Sequence, residues 1–132
     1  MAYDNTLPVT YKWTAHDFGA GAATNEIRGP AGMTGRVKDI LLVDVTETFT
    51  DTTLTGKIQV GTVADPDAYA QMDCLVTAAA ATASAGAATE TATNFILSDT
   101  IAADSLVQVK FTSPTGGTPA GIASVIVIIE WF

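Results

Sequence analysis

His16 and Asp17 are the pair in this 132-residue chain best suited by type to acid–base chemistry, an imidazole beside a carboxylate. Neighbouring residues on a strand point to opposite faces, so the two are poorly placed to act together. No serine sits in a nucleophile elbow. Cys74 is the only cysteine, which rules out an intrachain disulfide, and nothing local links it to the only histidine. A catalytic thiol needs such a partner, so Cys74 reads as a small buried apolar side chain. Asp65, Asp67 and Asp73 offer oxygens to a hard cation, but Pro66 and the lack of alternating ligands, a glycine bend and a terminal glutamate argue against a calcium loop. One Cys and one His make no zinc site unless carboxylates or another chain contribute. Residues 19–24 lack the third glycine of a dinucleotide fingerprint and read as a loop. Tyr3, Tyr11, Trp13, Tyr69, Trp131 and Phe132 are numerous enough for a sugar platform, yet aromatics in β-rich chains mostly anchor cores and interfaces. No convergent acid, base, nucleophile or metal set emerges, so the expectation is a protein that is not an enzyme and uses no cofactor or metal.

The elements that carry these residues are β-strands. Val9, Tyr11 and Trp13 alternate with Thr10, Lys12 and Thr14, giving a first strand with one apolar face. Glycines and Pro30 break the chain over 29–35. Arg36 to Thr50 is the longest β signal. Val37, Leu41, Val43, Val45 and Phe49 share one parity, with Asp39 and Glu47 as exceptions, and Ile40 and Leu42 add apolar weight on the other side. A long strand is expected, followed by a turn at 51–53 and a strand over 55–63 with Ile58 and Val60 inward, the two forming a hairpin. Asp65, Pro66 and Asp67 are the cap, first-turn proline and first-turn acid of a short helix near 66–73. The Ala/Thr/Ser/Gly tract over 77–93 reads as a long surface loop. Strand patterns return at 95–101 and 106–111, and 113–119 is a turn cluster.

The last eleven residues are apolar on both parities. Ile122, Ile126, Ile128 and Phe132 share one face, and Val125, Val127, Ile129 and Trp131 the other. A strand of this kind needs cover on both sides. One face must meet the core, and the other a second layer, a sister subunit or a large partner. With no polar tail after it, the terminus is itself expected to be packed. Short strands between Gly/Pro/Thr turns, with one minor helix, predict an all-β, mainly antiparallel β-sandwich of jelly-roll type. Residues 9–132 form its single domain, and 1–8 a possible N-terminal arm.

Composition narrows the partners. Hydrophobic residues make up 48% and charged residues only 15%, which suits a surface covered by neighbours. The net charge is −8, and the six basic residues, Lys12, Arg28, Arg36, Lys38, Lys57 and Lys110, form no dense run. Such a chain is repelled by nucleic acid and by an anionic membrane surface. Its start has no basic region followed by an apolar segment, so no secretory signal is read. The closing apolar run is about half of what spans a bilayer, and Glu130 interrupts it. Synthesis in a cytoplasm, without secretory export, is expected.

Three stretches taken together carry a resemblance: residues 56–70 (GKIQVGTVADPDAYA), 113–121 (SPTGGTPAG) and 122–132 (IASVIVIIEWF). In style and segment order they resemble the small head decoration, or cement, proteins of tailed bacteriophages, over about the last three-fifths of the chain. The resemblance implies a homotrimeric β-sandwich on the outer surface of a phage head, made in a bacterial cytoplasm, that bridges major capsid protein subunits. It also implies an N-terminal arm reaching the capsid, here Ala2, Tyr3, Asp4, Asn5 and Leu7. The two-faced last strand places the trimer seam at Val125, Ile126, Ile128, Trp131 and Phe132. Two other functions compete: a carbohydrate- or receptor-binding module of a phage fibre, and a self-assembling coat or tube subunit.

Overall fold

A computed structural model describes residues 6–50, 53–74, 82–84 and 94–132. Among the described residues nine strands run in chain order: β1 Leu7–Asp17, β2 Ala23–Arg28, β3 Gly35–Thr50, β4 Lys57–Gly61, β5 Ala70–Asp73, β6 Ala83–Ser84, β7 Phe95–Ile96, β8 Leu106–Thr112 and β9 Ala120–Trp131. They form two sheets, ordered β1-β9-β3-β6 and β2-β8-β4-β5-β7. Every neighbouring pair is antiparallel.

The pairing has a simple logic. Set aside the two-residue β7, and the first half of the chain pairs with the second in reverse: β1 with β9, β2 with β8, β3 with β6 and β4 with β5. The chain is one long antiparallel ribbon folded over itself into two sheets, which is the jelly roll. Residues from the inner faces fill the space between them. Val37, Ile40, Leu42, Val125, Val127 and Ile129 of the first sheet face Ile58, Val60, Val107, Val109 and Phe111 of the second, all buried.

Two expectations are corrected. β3 and β4 are not a hairpin, because they lie in different sheets and the connection between them crosses the sandwich. The hairpin is β4–β5, with Ile58 opposite Met72 and Val60 opposite Ala70. The helix near 66–73 is also absent. Residues 62–69 are a turn. The Asp65 carbonyl accepts the Thr62 and Ala68 amides at 2.8 and 3.1 Å, and the Asp65 amide donates to the Thr62 hydroxyl at 2.9 Å. Asp and Pro close turns for the same reasons that they start helices. Met72 then buries in the core as part of a strand, where a helix could not pair with β4. Of the tract 77–93 read as a loop, Thr82 is exposed, Ala83–Ser84 pairs with Leu41 and Leu42 of β3, and residues 77–81 and 85–93 lie outside the described residues.

The mixed parity of β3 comes from bulges. Its register against β9 slips between Val37 and Asp39 and again between Val43 and Glu47, where Asp44 takes φ 51°. Core positions therefore move from Val37 to Ile40 and Leu42, then to Val45 and Phe49.

Candidate interaction surface on the outer sheet

β9 lies between β1 and β3, so register decides what surrounds its outward side chains. Thr10 and Asp39 flank Ile128, Lys12 and Leu41 flank Ile126, and Pro8 and Arg36 flank Glu130. The outer face of this sheet thus carries an aliphatic strip of Ile126, Ile128, Leu41 and Val43, each half-buried, among Thr10, Lys12, Asp39, Arg36 and Glu130. Two ion pairs border it. Lys38 reaches Glu130 at 3.7 Å, and Lys12 on β1 reaches across β9 to Asp44 on β3 at 3.6 Å. Both pairs are solvent-exposed enough to contribute little energy.

The other sheet turns a mostly polar outer face to solvent: Glu26, Gln108, Lys110, Gln59, Lys57 and Thr112. There the Gln59 amide donates to Gln71 at 2.8 Å. One face of the sandwich is mostly polar, and the other sets an aliphatic strip among polar and charged residues.

Two of the five seam residues are elsewhere. Val125 and Trp131 are buried in the core of their own chain, so they are not surface residues. Their parity is that of Val127 and Ile129, the inward face. Trp131 lies against Gly29 and Gly35, whose missing Cβ atoms leave room for its ring, and its indole N–H donates to the Tyr11 hydroxyl at 3.0 Å. Ile126 and Ile128 stay on the outer face, and Phe132 is 43% exposed. Leu7 is corrected as well. It opens β1 opposite Trp131, so it belongs to the sheet and not to a free arm, and Pro8 pairs with Glu130. Ala2, Tyr3, Asp4 and Asn5 lie outside the described residues.

The chemistry-bearing candidates are placed separately. His16 sits edge-on to Phe18 at 4.6 Å and against Phe111 at 5.0 Å, with Nε2 3.1 Å from the Gly21 carbonyl. Asp17 caps its own turn by accepting the Ala20 amide. Cys74 is buried, and desolvation first, then the Asp73 charge, push its thiol pKa up. Asp65 and Asp67 share a hydrogen bond that, ahead of desolvation and their mutual repulsion, raises the pKa of Asp65. Among the described residues no three His, Cys, Asp or Glu side chains converge on a metal position. Trp13 packs edge-on to Phe111 at 5.7 Å, and Tyr11 and Tyr69 are half-buried against the core. None of these three forms an open platform. No helix among the described residues is long and apolar enough to cross a membrane.

Sequence reasoning missed Leu41 and Val43 as outer-face residues because it carried one parity through the bulges. It also missed Arg36, whose guanidinium lies over the Phe132 ring at 5.4 Å. The spacing of Arg36 from Lys38 was visible, but the register that sets Arg36 beside β9 was not.

No family model, curated protein or solved structure matches this chain.

Proposed function

We propose that this chain is a virion structural protein: a homotrimeric decoration protein that binds the outer surface of a tailed-phage head and stabilises junctions between major capsid protein subunits. The observation that carries the reading is the contrast between the two outer faces, one mostly polar and one with an aliphatic strip among its charged residues. An aliphatic strip on one face suits a contact with protein. The resemblance of 56–70 and 113–132 to cement proteins supplies the kind of assembly. Jelly rolls serve virion subunits and lectins alike, so the fold agrees with the reading without assigning it.

The mechanism is adhesive. A subunit that binds only the expanded lattice stabilises that lattice by linkage, and many identical contacts per head multiply the effect. The trimer seam is assigned to Ile126, Ile128 and Phe132, joined by Leu41 and Val43. The inward packing of Trp13, Tyr11 and Trp131 favours this reading over a sugar-binding module. A coat or tube subunit remains the second reading, because the same aliphatic face serves self-assembly.

The test has two parts. Light scattering of the purified protein should give a trimer, and the trimer should co-sediment with expanded phage heads and leave unexpanded proheads bare. Shells or tubes forming from the pure chain would support the second reading instead. Failure to bind expanded heads contradicts the decoration role.

A further inference from the structure

Three cations lie on the outer face of the first sheet, and two of them are matched. Lys12 pairs with Asp44 and Lys38 with Glu130. Arg36 is the exception. Glu130 is its cross-strand neighbour, yet the Glu130 carboxylate is taken by Lys38. Among the described residues Arg36 has no carboxylate partner, and its Nε is shielded from solvent with no acceptor. The guanidinium is also steadied over the face of Phe132, itself an exposed aromatic. A guanidinium held over a ring, with no carboxylate of its own, suits a carboxylate supplied from outside, since Arg forms charge-assisted and often bidentate bonds with that group. Arg and aromatic residues are also the side chains that most often anchor interfaces.

Resting on the homo-oligomer proposed above, we infer that Arg36 is an anchor of the seam and takes an Asp or Glu carboxylate from a second copy of this chain. Charge complementarity argues for that occupant. The chain has 14 acidic residues against 6 basic ones, so each copy brings carboxylates in excess of its own cations. Arg36 also adjoins the aliphatic strip, since its β9 neighbour Glu130 lies one outward position beyond Ile128. Asp17, at the opposite end of the same face, is an exposed source of the required carboxylate.

The experiment uses Arg36→Lys, which keeps the charge and adds an amine that a carbodiimide couples to a carboxylate in direct contact. Equal amounts of ¹⁴N- and ¹⁵N-labelled chains are mixed, cross-linked and read by mass spectrometry. The inference expects a cross-linked peptide of mixed isotope, joining position 36 of one copy to an acid of another. Alongside it, Arg36→Gln, folded by circular dichroism, should weaken self-association by about tenfold or more and flatten its salt dependence. Cross-links confined to single chains, in an oligomer of unchanged size, overturn the anchor and leave the oligomer standing. A wild-type chain that is monomeric at every concentration overturns both.

Discussion

Trp131 fixes the end of β9 from below. Its ring is 1% exposed, it fills the space left by Gly29 and Gly35, and its N–H is satisfied by Tyr11. Trp131→Ala should therefore cost about 3–5 kcal/mol in denaturant unfolding, the range for large aromatic truncations in a core. An effect on assembly with unchanged stability would contradict this placement. Ser124 is a second residue whose role is local. It is 2% exposed, and its hydroxyl accepts the Ala15 amide at 3.0 Å where β1 bulges through φ 49°. Ser124→Ala strands that amide and should cost about 1–3 kcal/mol. Asp65 gives a pH signature. Its pKa is raised chiefly by the hydrogen bond to Asp67, so the folded turn holds a proton more readily than the unfolded chain. The stabilisation is complete below the unfolded value and fades as pH rises through the folded one. An NMR titration of Asp67→Ala should move the Asp65 midpoint back down toward its ordinary 3.8. An unmoved midpoint would show that the shared hydrogen bond is not the cause.

At the scale of elements, β9 divides its residues by parity into two kinds. Val127 is fully buried between the sheets, whereas Ile128 faces out between Thr10 and Asp39. Val127→Asp places an unpaired charge in the core and should abolish folding. Ile128→Asp should leave a folded chain that no longer assembles, with circular dichroism separating the two outcomes. The strands themselves were legible because alternation marks them directly, as with Val9, Tyr11 and Trp13, or Ile58 and Val60. The terminal strand was legible as two-faced, but not which face was which, since both parities are equally apolar. Asp39 and Glu47, exceptions to a single parity in β3, sit where its register slips, and only pairing with β9 makes that visible. The helix misreading at 66–73 arose because one set of residue types serves both a helix start and a tight turn.

At the scale of the molecule, the ribbon closes through β1 and β9, the two ends of the described chain. Pairings so distant in sequence are slow to form and leave no local signal. That is why adjacency suggested a β3–β4 hairpin that the sandwich does not contain. The same closure puts β9 in the middle of its sheet, with the core beneath it and an aliphatic strip above. The proposed seam was only half legible for that reason: the terminal strand offers Ile126, Ile128 and Phe132 directly, while the outward placement of Leu41, Val43 and Arg36 required the register. The central claim is that this outer strip is covered by another copy of the chain. Sedimentation velocity over a wide concentration range tests it most directly. The account predicts a trimer for the wild-type protein and a folded monomer for Ile128→Asp; a folded wild-type monomer at every concentration would contradict it.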